Sequence, residues 1–143
     1  MLMELRIKKL HAKAKLPSYA HPEDAGFDLY ALDELTIPAG GRALVSTGIA
    51  LEIPSGFVGL IWDKSGLSTT YGLKTLAGVV DAGYRGEVKV GLINLSTEDY
   101  VISAGGKVAQ MLIQKVERAE FFESTELAET ARGERGFGST GKD

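Results

Sequence analysis

The sequence predicts an all-β domain of the sandwich, jelly-roll or barrel type, and three observations predict it. Short runs rich in Val, Ile and Leu alternate with Gly and Pro punctuation. Such runs recur every eight to twelve residues with turn signals between them. Helical periodicity is nearly absent, with Leu67 to Tyr71 expected to make one short turn at most.

In chain order, Leu5 and Ile7 alternate with Arg6 and Lys8 in a first strand. Leu35 to Ile37 stops at Pro38, and Ala39-Gly40-Gly41 reads as a turn. Arg42 to Glu52 is a long strand ending at the turn signal Ile53-Pro54-Ser55-Gly56. Phe57 to Trp62 and Glu87 to Asn94 follow, then a polar turn near Ser96 to Asp99 and a short run from Tyr100 to Ser103. Ala104-Gly105-Gly106 closes that run, and Lys107 to Val116 is the last strand. Beyond it the character changes: Glu117 to Arg135 holds six acidic and three basic residues and little apolar content after Phe122. Residues 1–116 are therefore assigned to a β-domain and 117–143 to a mobile C-terminal arm.

A chain of 143 residues suits one domain. With no cysteine it carries no disulfide framework, thiol nucleophile or cysteine-ligated metal, and two histidines are too few for a polyhistidine cage. A net charge of −3 speaks against tight binding of nucleic acid, which needs a clustered basic face. No apolar run approaches the roughly 20 residues that span a bilayer, and the N-terminus lacks a signal-peptide core, so no membrane association and a cytoplasmic location are expected. Glycine is the oddity: 18 residues, nearly twice the usual share of about 7%.

Glycine recurs in five clusters that could carry chemistry. Ala25-Gly-Phe-Asp-Leu-Tyr-Ala31 reads, taken alone, as a turn leading into a strand with Asp28 exposed. Asp63-Lys-Ser-Gly-Leu-Ser68 follows a strand, and Lys64, Ser65 and Gly66 have the makings of a small anion cradle: an ammonium, a hydroxyl and bare backbone N–H. Leu76 to Gly86 reads as a tight hairpin whose Gly78, Gly83 and Gly86 allow positive φ. In it Asp81, after two valines, is expected to be half-buried and able to deprotonate a water, and Tyr84 to pack flat on a ring. Gln110, in an apolar strand after Gly106, can donate an amide hydrogen bond to phosphate. Arg132 to Gly141 offers Arg132, Ser139 and Thr140 as donors and Phe137 as a stacking face, without the Lys-Ser/Thr ending or the following helix of a Walker A loop.

Taken in order, the five clusters resemble the five motifs of the trimeric dUTP diphosphatases (dUTPases), over about Ala25 to Gly141. The resemblance implies a jelly-roll-like β subunit and a homotrimer with shared active sites. It also implies hydrolysis of dUTP to dUMP and pyrophosphate with Mg²⁺, a step that limits uracil incorporation into DNA and supplies dUMP. By resemblance, Asp81 activates the water that attacks the α-phosphorus, and Tyr84 packs on the deoxyribose and excludes a 2′-hydroxyl. Gly78, Val79, Val80 and Lys89 belong to the hairpin that binds uracil through its backbone. Lys64, Ser65, Gly66 and Gln110 match phosphate binders. Arg132, Gly138 and Ser139 match the closing arm, Phe137 the aromatic that covers the base, and Asp28 a supporting aspartate behind the site. The metal is expected on the triphosphate, reached by protein carboxylates through water at most.

Three features depart from the family pattern. Lys64 stands where arginine is usual, keeping the charge and losing the bidentate fork, Glu134-Arg135 replaces small residues on the arm, and Lys107 stands where an acidic residue is common. Two alternatives compete. A dCTP deaminase, a sibling family with similar motifs, needs a glutamate in the strand after the hairpin; that position is Gly91, which moves no proton. A non-catalytic nucleotide-binding or regulatory module would be expected to lack Asp81 or the arm, and both are present.

Overall fold

Alternation decides the longest strands. In Glu87–Asn94, Val88, Val90, Leu92 and Asn94 are buried while Lys89 lies outward, the period-two pattern of a sheet with one face on the core. The computed structural model describes Leu2 to Gly141; Met1 and the last two residues of the expected arm, Lys142 and Asp143, lie outside the described residues. Its elements in order are β1 (Arg6–Lys9), β2 (Phe27–Tyr30), β3 (Leu35–Ile37), β4 (Arg42–Glu52), β5 (Phe57–Trp62), α1 (Ser65–Tyr71), β6 (Leu73–Leu76), β7 (Val79–Val80), β8 (Glu87–Asn94), β9 (Tyr100–Ile102) and β10 (Lys107–Lys115).

Two four-stranded antiparallel sheets, ordered β1-β4-β8-β6 and β2-β10-β5-β7, are accompanied by a two-stranded β3–β9 sheet. Leu29, Ile37, Val45, Ile49, Val90, Leu92 and Met111, all essentially inaccessible, belong to one core contributed by both sheets. Asn94, polar and fully buried, is satisfied: it donates to the carbonyls of Ile37 and Glu98 at 3.1 and 2.7 Å and accepts from the N–H and hydroxyl of Ser96. A buried side chain with every group paired fixes the end of β8 against β3 and the following turn.

Register brings the clusters together. On β10, Gln110 lies opposite Asp28 of β2 on one side and Trp62 of β5 on the other. Trp62 directly precedes Asp63-Lys64-Ser65, so three clusters distant in sequence meet across three strands. In the other sheet the pairing of β4 with β8 slips between Ser46 and Ala50. Gly48 occupies the slip at φ 71°, and a Cβ there would come within 2.9 Å of Leu32, so only glycine suits the bulge.

The expected tight hairpin is a longer excursion. β6 and β8 pair with each other, while the chain between them leaves their sheet and lays β7 against β5 of the other sheet. The crossing is made by two successive left-handed residues, Ala77 at φ 58° and Gly78 at φ 121°. Of the three hairpin glycines only Gly78 has positive φ. The helix is also longer than one turn: α1 spans seven residues, from Lys64 at its N-cap to a left-handed Gly72 that donates its N–H to Ser68 at 3.0 Å. No helix among the described residues is long and apolar enough to cross a membrane.

Candidate active site

A cleft of about 650 Å³ opens where β7 leaves one sheet for the other. Gly78, Val79, Val80, Asp81, Tyr84 and Lys89 line it together, along with Ile61, Leu76, Glu87 and Gly91. The backbone of β7 is committed on one side only: it pairs with Gly59 and Leu60 of β5, and Ile61 N–H donates to the Gly78 carbonyl at 2.8 Å. As the edge strand of its sheet, β7 keeps its other row of N–H and C=O groups free. A free backbone edge offers alternating donors and acceptors, which suits the edge of a planar base. Gly78 must be glycine here, because a Cβ would lie 2.8 Å from the Ile61 carbonyl oxygen.

Asp81 ends this edge. It is exposed rather than half-buried, because β7 is only two residues long and the chain turns away into Ala82-Gly83, with Tyr84 N–H donating to the Asp81 carbonyl at 3.0 Å. Arg85, which carries no sequence signal of its own, braces the same turn by donating to the Ala82 carbonyl at 2.6 Å. The Tyr84 ring is half-exposed, with its hydroxyl donating to the Glu87 carbonyl at 2.8 Å. Apolar Leu44 and Val79 stand exposed at the rim. The cleft therefore joins a carboxylate, an aromatic face and an open backbone edge in an apolar setting.

The second cluster lies elsewhere on the chain, and none of its members lines the cleft. Asp28 is buried, against the expectation of an exposed turn residue: two lysines from other elements cover it. Lys64 donates to Oδ1 at 2.6 Å, and the Lys107 ammonium stands 2.8 Å from Oδ2, which is otherwise unpartnered. Lys64 is therefore tied to Asp28 rather than free above the Ser65-Gly66 turn. Ser65 and Gly66 form the exposed start of α1. Gln110 gives one amide hydrogen to the Asp63 carbonyl at 2.9 Å, its second remaining available, and its side chain fills the space a Cβ on Gly26 would need. Asp63 in turn accepts from Thr75 N–H at 2.7 Å and pairs with Lys74 at 2.8 Å, fastening the entry to α1 onto β6. Asp63 and Lys107 fall within the second and fourth clusters of the sequence, but their partners, Thr75 with Lys74 and Asp28, come from other strands and are set by pairing.

Charge compensation governs Asp28. Burial pushes its carboxyl up, yet Lys107 and then Lys64 outweigh burial and hold it below the usual carboxylate range. A carboxyl lowered on folding contributes stability that is present above its unfolded pKa of about 4 and is lost as pH falls through the folded value. Asp28→Asn is therefore expected to cost roughly 2–3 kcal/mol at pH 7, by leaving two ammonium groups facing each other. The gap from the parent should narrow on acidification toward pH 3, as read by urea unfolding at each pH. A gap independent of pH would contradict the pairing.

Arg132, Phe137, Gly138 and Ser139 are not brought to either group. Arg132 donates to the carbonyls of Arg135 and Gly136, Ser139 N–H to Gly136, and Phe137 is fully exposed. Among the described residues, the arm's hydrogen bonds stay within the arm. Among the described residues no three His, Asp or Glu side chains converge on a metal position. Of the two carboxylates lining the cleft, Glu87 is engaged by Gly48 N–H and Lys89; Asp81, exposed, suits a hard cation that keeps most of its waters and is held mainly by substrate phosphates, as magnesium does.

The family model described as dUTPase matches residues 12–141. The deoxyuridine 5′-triphosphate nucleotidohydrolase of Helicobacter hepaticus is 48% identical over 141 residues, covering 97% of this chain and 89% of the relative. The protein of the same name from Anaplasma marginale is 51% identical over 130 residues, covering 88% of each chain. Among solved structures, a point mutant of the Staphylococcus bacteriophage 80alpha dUTPase with dUpNHpp superposes with a TM-score of 0.92 at 27% identity, covering 97% of this chain and 99% of that one. A mutant dUTPase from phage phi11 of S. aureus, described as coordinating a structural Mg(II) ion, gives 0.81 at 26% identity, with 87% and 98% covered. Fold, cleft and comparisons agree: the chain belongs to the dUTPase family.

Proposed function

We propose that this chain is a dUTP diphosphatase, hydrolysing dUTP to dUMP and pyrophosphate. The observation that carries the reading is the cleft itself, where the free edge of β7, the Tyr84 ring and the Asp81 carboxylate line one opening. Uracil binds along β7, with Lys89 at the rim. The deoxyribose lies on Tyr84, which leaves no room for a 2′-hydroxyl, and a 5-methyl group is excluded by the close backbone. Asp81 accepts a proton from water as that water's oxygen bonds the α-phosphorus. The bond from the α-phosphorus to the αβ-bridging oxygen breaks in line, and pyrophosphate leaves with the electron pair. Mg²⁺ bound to the phosphates supplies neutralisation of the charge that this displacement gathers.

The phosphates need more than one chain. Ser65, Gly66 and Gln110 offer donors on a part of the chain that shares no residue with the cleft, and Arg132, Phe137, Gly138 and Ser139 lie on an arm that touches neither. Three separated groups that suit one ligand support a homotrimer in which one subunit gives the cleft, a second the phosphate turn with Lys64 and Asp28 behind it, and a third the closing arm. We take residues 1–116 as the β-domain and 117–143 as that arm, acting in the cytoplasm without nucleic acid or membrane.

Deamination of dCTP is disfavoured by Gly91, which lines the cleft where a proton-shuttling side chain would be needed; a Cβ there meets Leu76 at 3.2 Å. The test is a panel of dUTP, dCTP, dTTP and UTP with Mg²⁺, read for both pyrophosphate and ammonia. Pyrophosphate from dUTP at a kcat/KM at least about a hundredfold above the others is expected. Ammonia from dCTP, or no turnover of any nucleotide, would overturn the assignment.

A further inference from the structure

We infer that Gly86 is a specificity-determining residue, holding the Tyr84 ring in the one orientation that separates deoxyribose from ribose. The inference rests on the proposed role of Tyr84 as the wall against a 2′-hydroxyl and extends it to the residues that fix that wall. Tyr84 is half-exposed and sits on a turn, so nothing in its own backbone confines the ring. Two contacts do. The hydroxyl donates to the Glu87 carbonyl at 2.8 Å, tying the ring's far end to the first residue of β8. The ring also folds directly over Gly86: a Cβ there would stand 2.5 Å from the hydroxyl oxygen, 2.7 Å from Cζ and 3.0 Å from Cε2. Real carbon atoms do not approach so closely, so the ring has this position only because residue 86 has no side chain.

The anchor is itself immobilised. Glu87 Oε1 accepts the N–H of Gly48 at 3.0 Å, in the bulge where β4 slips against β8. The Tyr84 hydroxyl is thus referred to two strands of the opposite sheet rather than to its own turn. A wall excludes a hydroxyl only if it cannot recede, and steric discrimination between a hydrogen and a hydroxyl depends on shifts well under the length of one bond. Gly86 is needed for space and not for conformation, since its φ lies outside the left-handed region and alanine fits that backbone. The group displaced by a new methyl is the hydroxyl end of the tyrosine, which can give up its bond to Glu87 and swing toward the open cleft.

The variant Gly86→Ala tests this. It is expected to fold as the parent does, with a melting temperature within about 2 °C, and to lose about ten- to hundredfold in the ratio of kcat/KM for dUTP to kcat/KM for UTP. Part of that loss appears as a rise in kcat/KM for UTP, which no merely structural defect produces. Tyr84→Phe, which keeps the ring and removes its tether to Glu87, should lower the ratio in the same direction by a smaller factor. If Gly86→Ala folds and keeps the parent's ratio, the seat is refuted; if Gly86→Ala lowers both substrates equally, the residue serves the turn and not the sugar. Failure of the parent protein to hydrolyse dUTP would refute the functional reading instead, so the two failures are separable.

Discussion

Asp81→Asn is expected to lower kcat for dUTP by about 10³–10⁴-fold, the loss that follows removal of a general base, while a non-hydrolysable dUTP analogue binds at least as tightly as to the parent. Both halves follow from the cleft. Asn has the shape of Asp and keeps an acceptor oxygen, so the turn through Ala82 and Gly83 has no reason to move: its bonds are the Tyr84 N–H to the Asp81 carbonyl and the Arg85 brace on Ala82, both made to the main chain. Asp81 is exposed, so its replacement unpairs no buried group and global stability should stay within about 0.5 kcal/mol. What disappears is an exposed negative charge beside a reactant that is itself strongly anionic, so binding improves or stays level while proton acceptance is lost. Calorimetric titration with the analogue beside single-turnover kinetics separates the two. Retained turnover would remove Asp81 from the mechanism; equal losses of binding and turnover would make it a binding group only.

Much of the fold was legible because its strands announce themselves. β3, β4, β5 and β8 coincide with the predicted runs, each being a β-prone run flanked on at least one side by Pro or Gly: Pro38, Gly41, Gly56 and Gly86. β6 was missed because Leu73-Lys-Thr-Leu76 is four residues between a helix and an excursion, and β7 because two valines make no period. α1 was underestimated for a reason of propensity: Gly66, Thr69 and Thr70 are weak helix formers, no acidic residue occupies its first turn and none of its residues is buried. Its ends, with Lys64 entering extended and Gly72 closing left-handed, define it better than its interior does. For the site, Gly78, Asp81 and Tyr84 were legible as a dense local cluster and fall into one cleft. The burial of Asp28 was not legible, because it depends on Lys64 and Lys107 arriving from other elements through strand register. Sequence shows where glycine frees the backbone; only pairing shows which charges a strand brings to face one another.

Ending the chain after Ala131 is expected to reduce kcat/KM for dUTP by about 10²–10³-fold, the scale of losing preorganised phosphate donors, with the melting temperature changed by less than about 2 °C. The separation of the two effects is what the geometry of the arm requires. Arg132 and Arg135 spend their guanidinium hydrogens on one another's backbone neighbourhood, Gly133 N–H bonds to Thr130 and Gly141 N–H to Gly138, so the segment is held in turns by itself. Phe137 buries nothing. The described residues of the segment are all exposed, so removing it uncovers no core of the β-domain and the folding equilibrium has little to lose. When phosphates are present its donors can trade local partners for charged ones: Arg132 can exchange carbonyl oxygens for phosphate oxygens, and the Gly138 N–H and the Ser139 hydroxyl can turn toward the same anion. The arm's share of kcat/KM should shrink with rising salt, since its exposed charges are screened within about 10 Å, so the parent should be the more salt-sensitive of the two chains. An unchanged kcat/KM would show that the arm takes no part, and a melting temperature lowered by several degrees would show that it is built into the fold after all.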